Sequence, residues 1–106
     1  MTRARPAPVQ VCWQALGTYV QLSVSDPDMA AAAERRARAL LALVDWSCSR
    51  FRADSELNRV NTGAGTWVRV DPLLVAATVA AVEAAGHTDG IVHPLLGRVM
   101  VALGYD

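Results

Sequence analysis

His87 and His93 stand six residues apart with Asp89 between them, a His-x-Asp-x-x-x-His spacing that offers three side chains able to ligate a metal. Gly90 falls inside that spacing, and the same residues also read as the end of a helix and the turn after it. Cys12 and Cys48 lie far apart, in neither a Cys-x-x-Cys nor a zinc-ligand pattern. They read as two small apolar residues of a reduced compartment, and a disulfide between them stays open at this point. No Ser-His-Asp or Cys-His arrangement can be assembled, and the glycines form neither a GxGxxG nor a P-loop. No residue is therefore assigned a catalytic or metal-ligating role.

Three patches are harder to account for by packing. At Leu16-Gly17-Thr18 a strand pattern changes phase at a glycine, which places a hydroxyl beside the break. Residues 47 to 61 are polar and charged, yet carry Phe51 and Leu57. Phe51, the one Phe in the sequence, lies between Arg50 and Arg52. An aromatic ring flanked by guanidinium groups suits a planar, anionic ligand, by stacking and by charge-assisted bonds to phosphate. The competing reading, which spacing alone favours, tucks Phe51 into the core and leaves both arginines in water. The third patch is residues 88 to 97, where Gly90 and Gly97 bracket His93-Pro94.

The elements that must carry these patches are legible from periodicity. Val9, Val11, Trp13 and Ala15 alternate with Gln10 and Gln14, and beyond Gly17 the in-phase set becomes Thr18, Val20, Leu22 and Val24. A period of two that flips at a glycine reads as two strands or one bulged strand. Asp26-Pro27-Asp28 is a helix start, with Asp as cap and Pro at the first helical position. Ala33, Ala37, Leu40, Leu41 and Val44 then recur at helical spacing, to about Asp45 or Ser47. A short helix is expected over residues 55 to 60, capped by Asp54 or Ser55 and ended by Asn61 and Gly63. Trp67-Val68-Arg69-Val70 predicts a brief strand, and Asp71-Pro72 repeats the helix start. The helix after it, with Glu83 as its one charged residue, is expected to be buried on most sides and to end at Gly86. Pro94 opens an expected last helix to residue 103. The order predicts an α+β domain, helices packed on a partly antiparallel sheet that needs further strands beyond Asp106.

The 106 residues suffice for one small domain. Ten Arg and no Lys balance ten Asp and Glu, so nothing in the bulk charge draws the chain to nucleic acid or to a membrane surface. At 53% the apolar share is high. With the apolar run at residues 99 to 103, it leads to an expectation of exposed apolar surface and self-association. Arg3, Arg5, Pro6 and Pro8 precede no apolar stretch of signal-peptide length, no lipobox-like Cys and no membrane span, which makes a cytoplasmic location the default.

The same three patches carry a resemblance to the ApbE-type FAD:protein FMN transferases. That family has Met-Gly-Thr near the start of its domain, where this chain has Leu16-Gly17-Thr18. Its S-x-[FY]-x-x-x-S-x-L-x-x-x-N stretch is present whole, with Ser49, Phe51, Ser55, Leu57 and Asn61 in register. Its T-x-G-x-[FM]-D-P-T-x-G turn resembles residues 88 to 97, and the likeness covers residues 13 to 106 in order. The resemblance implies an incomplete ApbE-like (T-fold-like) domain within residues 1–106, and residues 1–8, ahead of it, are expected to be disordered. It implies FAD as substrate, Mg²⁺ as cofactor, and transfer of FMN to a Thr or Ser of a target protein. Leu16, Phe51, Ile91, Val92 and His93 would line the FAD site. The family's metal ligands and catalytic His are expected beyond Asp106, which makes the chain alone inactive and leaves a missing C-terminal half or a homo-oligomer as its partner.

Three departures from the pattern matter: Leu16 for Met, His93 for Asp and Leu95 for Thr. They keep open a non-catalytic flavin- or nucleotide-binding module, and the apolar C-terminal run keeps open a small oligomerising interaction domain.

Overall fold

The computed structural model describes residues 3–105, and residues 3–8 carry no regular structure. The chain forms two compact units, Met1–Leu43 and Val44–Asp106.

In the first unit, strands β1 (Val9–Ala15) and β2 (Thr18–Val24) pair antiparallel. The register sets Val11 opposite Leu22 and Trp13 opposite Val20, so the two apolar sets share one face. That settles the phase flip as a hairpin. Its two-residue loop has positive φ at both positions, 55° at Leu16 and 71° at Gly17, the condition of a type I′ turn. Asp26 caps a short 3-10 helix, Pro27–Met29, by accepting from the Asp28 N–H at 3.0 Å. Helix α1 (Ala30–Cys48) follows directly. Arg38 lies over the Trp13 ring at 4.5 Å and pairs with Glu34 one turn earlier.

The second unit holds α2 (Glu56–Thr62), α3 (Pro72–His87) and α4 (Gly97–Ala102). Ser55 caps α2 and Asp71 caps α3, with Pro72 at the first helical position. The molecule is α+β, its sheet among the described residues being the β1–β2 hairpin.

Several expectations need correction. Residues 67–70 do not form a strand: among the described residues no strand pairs with them, and one of their carbonyls turns to a side chain instead. The Arg69 carbonyl accepts from Arg59 Nη2 at 2.7 Å, and the N–H of Asp71 just after them donates to the Glu56 carboxylate. Helix α3 passes Gly86 and closes at Thr88, whose Oγ1 donates to the Ala84 carbonyl, while Gly90 takes the positive φ of 81°. Helix α4 starts at Gly97, three residues after Pro94. Most of α3 is exposed, Val75, Val79 and Val82 included, and Leu40 of α1 is exposed as well.

Among the described residues Leu74 is the one buried apolar side chain, and Ser47, Ser55 and Glu56 are the buried polar ones. The centre of this unit is thus a polar network. Glu56, 3% exposed, accepts from Ser47 Oγ at 2.7 Å and from the Asp71 N–H at 2.9 Å, and pairs with Arg59 at 3.4 Å. No buried side-chain polar atom among the described residues lacks a partner, which is what makes so polar a centre tolerable.

Candidate functional site

The loop after α1 is built to present Phe51. Ser49 Oγ accepts from the Phe51 N–H at 3.1 Å and the Arg52 N–H at 3.3 Å. From α2, Asn58 Nδ2 donates to the Arg50 carbonyl at 3.1 Å and the Arg52 carbonyl at 2.7 Å. Asn58 itself is placed by Ser55, whose Oγ accepts its N–H at 3.1 Å. Arg52 reaches back to Asp45 at 3.0 Å and forward to Asp54 at 2.9 Å. Those hydrogen bonds, to Asp54 first and Asp45 second, push the Arg52 guanidinium further up, and the bond from Arg52 holds the Asp54 carboxyl below its usual range. The pairs are exposed and worth little in stability. Their effect is on loop geometry.

So held, the Phe51 ring is 69% exposed. The core reading of Phe51 is overturned. Arg50 covers one part of the ring, its guanidinium carbon 4.1 Å from the centroid, and its Nη2 donates to the Tyr105 carbonyl. The loop thus carries an accessible ring with a cation beside it.

The other expected residues are placed as follows. Ile91 and Val92 are exposed in the turn after α3, with the Val92 N–H donating to Thr88 Oγ1 at 3.0 Å. His93 Nδ1 accepts from the Leu95 N–H at 3.1 Å. That is the role a short carboxylate plays in an Asx turn, so His93 keeps the local acceptor while giving up the charge. Among the described residues no hydrogen bond or ion pair joins residues 49–54 to residues 88–97. Leu16 belongs to the first unit, at the tip of the hairpin, where residues 14, 15 and 17–19 line a hollow of about 420 Å³. Both cysteines are free.

The His87–Asp89–His93 spacing does not become a ligand set. Among the described residues no group of three or more His, Cys, Asp or Glu could hold a metal ion. No helix there is long and apolar enough to cross a membrane.

The family model described as the ApbE family matches residues 16–106. The chain belongs to the ApbE family. It matches no curated protein and no solved structure. Within the stretch from Ser49 to Asn61, two of the motif's polar residues bond to the backbone: Ser49 shapes the Phe51 loop and Ser55 caps α2. Sequence reasoning missed Asn58, Glu56 and Ser47. Asn58 could have been found as the third residue after a Ser cap. Glu56 had no signal in spacing, since its partners Ser47 and Asp71 lie nine and fifteen residues away.

Proposed function

We propose that this chain supplies an FAD-binding wall to a transferase that moves the FMN half of FAD onto a Thr or Ser hydroxyl of a target protein. The observation that carries the reading is the exposed Phe51 ring on a loop fastened by Ser49 and Asn58, with Arg50 beside it. The ring offers its open area to the flavin or adenine plane, and Arg50 stands where a phosphate charge would be met. Leu16, Ile91, Val92 and His93 join the proposal through the family pattern.

In the reaction the target hydroxyl oxygen bonds to the FMN phosphorus, the pyrophosphate P–O bond breaks, AMP leaves, and the hydroxyl proton passes to a base. Mg²⁺, when bound, neutralises pyrophosphate charge. The residues described here do not fit it, because no ligand set is assembled among them, and no step of the chemistry is assigned to this chain. Its contribution is to grip and orient FAD.

A second reading, a flavin-binding module without transfer, is favoured by the same lack of a metal set and by His93 and Leu95. Titrating the chain with FAD tests the grip that both readings share, and an absence of binding overturns them together. A flavin-phosphate adduct on a Thr-bearing target peptide, formed by the chain with FAD and Mg²⁺, would refute the module.

A further inference from the structure

Residues 67–70 have the sequence of a strand and, among the described residues, lack a strand's partner. Val68 and Val70 are half-buried while Trp67 and Arg69 are exposed, the alternation of an extended chain. Trp67 is fully exposed, an unusual position for so large an apolar surface. Gly63 sets the segment against the end of α2, since a Cβ there would stand 3.2 Å from the Arg59 carbonyl oxygen and 3.2 Å from Val68 Cγ2. The result is an open groove of about 680 Å³ lined by Arg59, Thr62, Gly63, Trp67, Val68 and Arg69. Among the described residues no carboxylate pairs with Arg69, and Arg59 spends one nitrogen on the Arg69 carbonyl and Glu56.

We propose that residues 67–70 and the groove beside them dock an extended acidic peptide segment of a partner protein by strand addition. The backbone groups of 67–70 other than the Arg69 carbonyl, which accepts from Arg59, supply the pairing edge, as in other cases where a peptide joins an open edge. Side chains fix the choice of peptide. Trp67 and Arg69 project on the same side, two residues apart, so the incoming strand presents an apolar residue to Trp67 and a carboxylate to Arg69. Trp and Arg are also the residue types that most often anchor protein interfaces. The charge of the groove selects for acid: Arg69 lines it without a carboxylate partner among the described residues, beside Arg59, whose charge is shared with Glu56. This docking site does not depend on the flavin reading, because neither Phe51 nor residues 91–93 line it.

The test uses a fluorescein-labelled nine-residue peptide with valine and glutamate two apart in a threonine background, and a twin with lysine for glutamate. Anisotropy titrations of the full chain at low salt are expected to show binding of the glutamate peptide and none of the lysine twin. Arg69→Glu and Trp67→Ala change exposed side chains and should keep the far-UV spectrum of the parent. Each is expected to weaken the glutamate peptide about threefold or more. A peptide N-methylated at alternate backbone positions, with its charges intact, is expected to bind more weakly if strand addition is the mode. No binding, equal binding of the two peptides, or unchanged binding by both variants overturns the proposal. Full displacement by equimolar inorganic pyrophosphate or FAD also overturns it, and reassigns the groove to a phosphate ligand.

Discussion

Phe51→Ala separates a ligand wall from a core residue, because the two roles lose different quantities. A buried Phe costs about 3 to 5 kcal/mol of stability on truncation. Phe51 is 69% exposed, and what the fold loses with the ring is chiefly its contact with Arg50 at 4.1 Å. A cation over an exposed ring contributes about 0.5 to 1 kcal/mol, so the folding cost is expected to stay near 1 kcal/mol. Stacking on a flavin or adenine face contributes about 0.5 to 1.5 kcal/mol, which converts to a two- to twelvefold loss of FAD affinity, roughly. Flavin fluorescence on titration with protein gives the affinity, and a melting curve on the same sample gives the stability. Phe51→Leu is the companion: it keeps apolar bulk, removes the flat face, and is expected to fold normally and bind FAD less well. A large drop in midpoint with FAD affinity unchanged would refute the wall.

Three further outcomes are expected. Glu56→Ala strips the buried Ser47 hydroxyl and the Asp71 N–H of their acceptor and should cost about 3 kcal/mol or more in urea unfolding, whereas a change under about 0.5 kcal/mol would contradict the polar centre. Leu16→Asn relieves a left-handed Leu at φ 55° and should stabilise the hairpin by about 0.5 to 1 kcal/mol, seen as a raised thermal midpoint; a lowered midpoint would count against strain at that turn. Asp54 has its folded pKa held below the unfolded value of about 3.9 by the hydrogen bond from Arg52. Its stabilising effect is therefore complete above that unfolded value and fades as pH falls through the folded one. The stability gap between wild type and Asp54→Asn should shrink from pH 7 toward pH 3, and a gap that widens would reverse the argument.

Local rules read the elements well where a side chain acts on its own neighbours. The caps at Asp26, Ser55 and Asp71, the break at Gly17 and the length of α1 all follow from short-range chemistry that spacing displays. The same rules fail at residues 67–70, where strand propensity has no second strand among the described residues to pair with. They also fail for α3, whose apolar sequence predicts burial although Val75, Val79 and Val82 are exposed. Propensity is local, while burial depends on what else the chain brings near. The site was legible in part. An aromatic between two arginines pointed to Phe51, yet its exposure depends on Asn58, a residue on the next helix whose amide reaches back across the loop. Glu56 was invisible for the same reason, its partners being set by the fold rather than by the helix it starts.

The claim that Phe51 forms the wall for FAD is tested most directly by the aromatic resonances of its ring. In a ¹³C-labelled sample titrated with FAD, the Phe51 ring protons should shift upfield and saturate together with the flavin signal, as stacked rings do. Amides of Arg50 and Arg52 should follow, and those of residues 67–69 should stay in place. Phe51 ring resonances that do not move while FAD is bound, or shifts confined to residues 67–69, would contradict the account.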